Sequence, residues 1–107
     1  MSERAEIAFE GLLEELLQDP DDDVAATEGA LYVHGRLFAR LDGDALVVDL
    51  PAERTADLIE RGVAEPGSAG VVEARGAWAR VGDTEDWPEL ASEAHQFVGE
   101  PAVGKDS

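Results

Sequence analysis

Apolar and acidic positions follow a helical period over the first stretch of the chain. Ala5, Ile7, Ala8, Phe9, Leu12, Leu13, Leu16 and Leu17 gather on one broad stripe, and Glu3, Glu6, Glu10, Glu14 and Glu15 fall largely outside it. The spacing predicts a helix over 2–18. Ser2 would be its N-cap, the early glutamates would face the positive end of its dipole, and Asp19-Pro20 would stop it. Asp21-Asp22-Asp23 then reads as a solvated acidic loop, because the glycine and glutamate spacing of an EF-hand calcium loop is absent.

From Gly29 the period changes to two. Runs at 30–33, 36–41 and 44–50 are strand-like, parted by His34-Gly35 and by Asp42-Gly43, so they predict a three-stranded meander with tight turns. Pro51 stands where a helix begins, since its missing N–H costs nothing in the first turn. That helix runs through Ala52, Ala56, Leu58 and Ile59 to Gly62, which supplies a left-handed terminus. Beyond Pro66-Gly67-Ser68, the runs 70–74 and 77–81 joined at Arg75-Gly76 predict a second hairpin. Asp86, with Glu89 three positions on and Pro88 in the first turn, predicts the capped start of a last helix. Leu90, Ala91, Ala94, Phe97 and Val98 would form its apolar face. The order is α-β(3)-α-β(2)-α, a single α+β domain over 1–98 with helices packed on a five-stranded antiparallel sheet. A flexible acidic tail would follow over 99–107.

Composition narrows the function classes. A chain of 107 residues buries enough surface for one core without a staple. It has no cysteine, which excludes disulfides, thiolate metal sites and cysteine nucleophiles. With only His34 and His95, a multi-histidine metal centre is excluded too, and no cofactor or metal is expected. The 25 acids against 8 bases give a net charge of −17, which argues against coating DNA or RNA and against docking on anionic lipid. Residues 1–24 hold nine acids and one base, and residues 83–107 hold seven acids and one base. The middle is nearly balanced. Seven of the eight bases are arginine, as in the acidic, salt-adapted proteins of haloarchaeal cytoplasm or in GC-rich coding. The first eighteen residues lack the basic and uninterrupted apolar regions of a secretory signal, and no run spans a bilayer. A cytoplasmic protein without membrane attachment is expected.

The segments GRLFARLDGDALVVDLPAERTADLIERG (35–62), GAWARV (76–81) and DWPELASEAHQFV (86–98) carry a family resemblance. Gly35 and Phe38 in the meander, Leu50-Pro51-Ala52-Glu53-Arg54, Trp78, and Asp86-Trp87 are its matching features. Over about residues 28–98 the chain resembles the MmcQ/YjbR-like proteins and the related N-terminal domain of TfoX/Sxy proteins. The resemblance implies a secretion-chaperone-like fold in the same element order. It does not extend to the lysine and histidine that such proteins often carry before the tryptophan, where this chain has Val72-Glu73-Ala74-Arg75-Gly76-Ala77. No second domain like that of TfoX is expected, so a competence-regulator role is not implied.

No catalytic constellation stands out. Ser2, Ser68, Ser92 and Ser107 lie in a terminus, a loop, a helix and a tail, none in a nucleophile elbow. His34 belongs to a turn and His95 to the surface or half-buried side of the last helix. The eleven glycines have no phosphate-loop spacing. The expectation is a non-catalytic protein-interaction or regulatory domain. The alternative is binding of nucleic acid or a planar ligand.

One surface concentrates cations and rings. With Asp42-Gly43 as a two-residue turn, Arg36 opposes Asp49, Phe38 opposes Val47 and Arg40 opposes Ala45. With Arg75-Gly76 as another, Trp78 opposes Glu73 and Arg80 opposes Val71. Leu37, Ala39, Leu46 and Val48 would meet the helices. The face away from them would then carry Arg36, Phe38, Arg40, Val47, Trp78 and Arg80. Three readings of that face are open: the rings are covered by a loop or by arginine stems; the face is a protein-partner or homodimer surface; or it stacks a base or other planar ligand.

Overall fold

The structure is a computed structural model and describes residues 3–16, 24–27, 29–70 and 72–99. The expected Ser2 cap, Asp19-Pro20 stop, aspartate loop and positions 100–107 of the tail lie outside the described residues, while Gly99, expected to open the tail, is the last residue of the final helix.

The first helix, α1 (Glu3–Leu16), buries Ala5, Phe9 and Leu12, one stripe of the predicted pattern. Four antiparallel strands follow: β1 (Val24–Thr27), β2 (Ala30–Val33), β3 (Arg36–Asp42) and β4 (Ala45–Leu50). Helix α2 (Ala52–Glu60) leads to the short strand β5 (Glu65–Pro66). Strand β6 (Ala77–Val81), a 3-10 turn (Thr84–Asp86) and helix α3 (Trp87–Gly99) complete the domain. The sheet has six strands in the order β1-β2-β3-β4-β6-β5, all neighbours antiparallel. The α+β class and the order of the helices therefore stand, with β1 as a strand the periodicity had not marked.

Helix α3 packs across β3 and β4, α1 packs on α3, and α2 packs on β5 and β6. The core between them is built from Leu31, Phe38, Leu46, Val48, Leu50 and Trp87, all fully buried. Polar contacts fix the helices to the sheet. Trp87 Nε1 donates to the Val81 carbonyl at 2.9 Å, and Thr55 Oγ1 donates to the Ala77 carbonyl at 3.0 Å. The Arg54 guanidinium forks onto both Glu93 oxygens at 2.9 and 3.0 Å, joining α2 to α3. That carboxylate, hydrogen-bonded to it, raises the Arg54 pKa.

The turn chemistry decides three local outcomes. Gly62, at φ 80, ends α2 as expected, and the Val63 and Gly62 amides return to the Leu58 and Ile59 carbonyls at 2.9 and 3.1 Å. The turn between β3 and β4 is centred on Gly43-Asp44, one residue later than Asp42-Gly43, because Asp42 pairs with Ala45. Glycine at the first central position is what a type II′ turn requires, and Gly43 has φ 64. The last helix is capped through the preceding 3-10 turn: Asp83, not Asp86, accepts from the Glu85 amide at 3.0 Å.

The shifted turn puts Arg40 opposite Val47, where Phe38 was expected, and Asp42 opposite Ala45, where Arg40 was expected. Two further expectations fail. Gly70 and residues 72–74 form no strand, and Trp78 and Arg80 do not take the expected partners Glu73 and Val71. Instead β6 pairs with β4 and β5, placing Trp78 beside Asp49 and Arg80 between Val47 and Glu65. Second, Phe38 does not face away from the helices. The β2–β3 register shifts between Leu31, opposite Ala39, and Tyr32, opposite Leu37. Phe38 is the additional residue of that bulge, which breaks strict alternation. Its ring is fully buried on the helix side, edge-on to His95 at 5.5 Å between centroids. The half-buried reading of His95 agrees with that placement.

Candidate functional site

The sheet face away from the helices is built by alternation in β4 and β6. Val47 and Trp78 point there because Leu46, Val48, Ala79 and Val81 occupy the core side. The bulge adds Leu37 to this face in place of Phe38. One register row crosses the face: Ala30, Arg40, Val47, Arg80 and Glu65 lie side by side on five successive strands.

Residues 67–70 and 72–76 form a strap over part of that row. Val47, Ala69 and Trp78 make a second small core under it, with Leu37 and Ala74 against them. Trp78 is thereby 9 % exposed, and its Nε1 donates to the Val72 carbonyl at 3.0 Å. The far end of the strap is held by Asp49, whose carboxylate accepts from the Arg75 and Gly76 amides at 2.7 and 3.0 Å. Asp49 is 2 % exposed, and burial raises its pKa above the ordinary aspartate value despite those bonds and the nearby Arg36 and Arg75 charges. A side chain at position 76 would collide with the Leu50 carbonyl, so the strap passes the sheet end only as glycine. Arg75 sends its guanidinium over the Phe97 ring, 5.5 Å from the centroid.

Of the residues singled out from the sequence, the fold brings Arg40, Val47, Trp78 and Arg80 to one face. Arg36 is exposed at the start of β3, and Phe38 is in the core. The covering of a ring by a loop is the outcome for Trp78. Arg80 is taken up by Asp42 at 3.2 Å and Glu65 at 3.5 Å. Arg40 is half-buried and has no ion pair among the described residues.

Beside Arg40 lies a cleft of about 350 Å³, open to solvent, lined by Thr27, Tyr32, Leu37, Ala69 and Val72 among others. Val72, on the strap, is 42 % exposed. Tyr32 and Val72 are residues that sequence reasoning missed as part of this surface. The alternation of Leu31 and Val33 with Ala30 and Tyr32 could have shown the first. The second depends on the strap, which nothing local announces. Among the described residues, no three His, Asp or Glu side chains converge as a metal-holding group, and no helix is long and apolar enough to cross a membrane. No family model matches the chain, and neither a curated protein nor a solved structure does.

Proposed function

We propose that the chain is a non-catalytic interaction domain, salt-adapted and cytoplasmic, built as a YjbR-like and TfoX-N-like α+β unit. Its working surface is the open part of the outer sheet face, from Tyr32 and Leu37 to Arg40 and the strap residue Val72. The observation that carries this reading is the uncovered cleft there: apolar side chains and a ring surround a guanidinium that has no ion pair among the described residues. Aromatic residues and arginine favour the centres of protein interfaces. An open cleft of this size suits a protruding side chain of a protein better than a small metabolite, which is usually enclosed on most of its surface. Base stacking gains no support, since Trp78 lies under the strap and the molecule carries 17 net negative charges.

A displayed random-peptide selection tests the reading. Peptides enriched on the wild-type protein in molar KCl should lose binding to Val72→Asp, whose new charge closes the apolar wall of the cleft. Enriched peptides that bind Val72→Asp as well as wild type would place the working surface elsewhere.

A further inference from the structure

The arginines of the chain differ in how their charge is met. Arg54 pairs with Glu93 and Asp57, Arg61 with Asp57, and Arg80 with Asp42 and Glu65, while Arg75 covers a ring. Arg4 and Arg36 are exposed to water. Arg40 alone combines partial burial with the lack of an ion pair among the described residues. Its neighbour on the same face, Asp42, already serves Arg80. A half-buried guanidinium without an ion pair among the described residues leaves its donors open to a carboxylate, and a charge-assisted pair there is about twice as strong as a neutral hydrogen bond.

The walls of the cleft strengthen the point. Among the described residues its lining contains no Asp or Glu. Two other clefts are lined by acids: Glu65, Asp83 and Asp86 in one, and Glu14, Glu15 and Glu85 in the other. A basic segment drawn in by the overall charge would therefore meet carboxylates at those places and, here, an arginine without an ion pair among the described residues. The remaining walls offer the Tyr32 ring and the Leu37, Ala69 and Val72 side chains, which suit an apolar group beside the charge.

We propose that the cleft beside Arg40 receives an acidic side chain, flanked by apolar residues, from a protein partner. This rests on the reading of the outer face as the working surface and names the chemistry that face recognises. It carries an unusual salt signature. Protein and peptide are both anionic, so dilute salt leaves a long-range repulsion that added salt screens, while the short, partly buried pair with Arg40 is screened much less. Affinity should rise with salt over the range in which ordinary charge-driven binding falls.

The probe is a blocked peptide, Ac-Gly-Phe-Glu-Phe-Gly-amide, with its glutamine counterpart as the control, titrated by NMR in dilute and molar KCl. The glutamate peptide should bind about tenfold more tightly than the glutamine peptide in molar KCl, a difference of about 1.4 kcal/mol. Arg40→Gln should bind the two peptides alike, and dilute salt should weaken the glutamate peptide. Equal affinities of the two peptides for the wild type, with shifts at Tyr32 and Val72, would overturn the carboxylate assignment and leave the outer-face reading standing. Shifts confined to the helix side with both peptides would overturn the two together.

Discussion

Asp49 and Trp78 lie directly opposite one another on β4 and β6, Trp78 holding the middle of the strap and Asp49 its far end. The indole N–H takes the Val72 carbonyl, and the carboxylate takes the Arg75 and Gly76 amides. A central strand position that reads as a polar interruption in ALVVDL is thus the anchor of the loop that covers the tryptophan.

Removing that anchor should loosen the strap before it unfolds the sheet. Asp49→Ala leaves two amides without their acceptor, and the cost of orphaned donors is about 1–3 kcal/mol each when they stay buried. The strap can lift and hydrate them, so a loss of about 2 kcal/mol in urea unfolding is expected. Trp78 fluorescence should shift to the red in the native state. An unshifted spectrum with unchanged stability would show that Asp49 does not hold the strap.

The same carboxylate sets a pH dependence whose sign is opposite to that of an ordinary ion-paired aspartate. Burial raises its folded pKa above the unfolded value, so the folded state binds the proton more readily. The associated stability is present below the unfolded pKa and is lost as pH rises through the raised value. Carbon-detected NMR of the Asp49 carboxyl should give a midpoint above that of an unfolded-chain aspartate. A midpoint below it would mean that the two amide bonds outweigh burial.

The face assignment makes a paired prediction. Phe38→Ala empties a fully buried site in the main core and should cost about 3–5 kcal/mol. Arg40→Gln removes from the opposite face a guanidinium with no ion pair among the described residues and should change stability by about 0.5 kcal/mol or less. Urea unfolding of the two variants checks both. Similar losses at the two positions would mean that the bulge does not separate them.

Much of this fold was legible because its signals are local. The α1 stripe, the switch of period at Gly29, and the Pro51 start and Gly62 end of α2 each follow from side-chain spacing or a single backbone requirement. What escaped was non-local. One additional residue in β3 sends Phe38 to the core, and no pattern in RLFARL marks which residue will bulge. The run 70–74 alternates like a strand, but its place at the sheet edge is taken by Glu65–Pro66, whose neighbour Gly67 donates its amide to the Trp78 carbonyl at 3.1 Å. Of the candidate site, the cations and Trp78 were visible in sequence. The cleft was not, because its walls come from β1, β2, β3 and a strap that only the tertiary fold brings together.

Charge sets the condition under which all of these measurements belong. With 17 net negative charges on 107 residues, repulsion among carboxylates weakens the compact state when ions are dilute. The thermal midpoint should rise substantially from dilute to molar KCl, where the screening length is about 3 Å. A midpoint flat across that range would contradict the salt-adapted reading.

The most direct test of the outer face as the working surface is an amide shift map. Nitrogen-15-labelled protein would be recorded with and without a peptide selected on the wild type in molar KCl. The largest shifts should fall at Tyr32, Leu37, Arg40 and Val72, with α1 and the exposed side of α3 unchanged. Shifts centred on those helices, with the four outer-face amides unmoved, would contradict it.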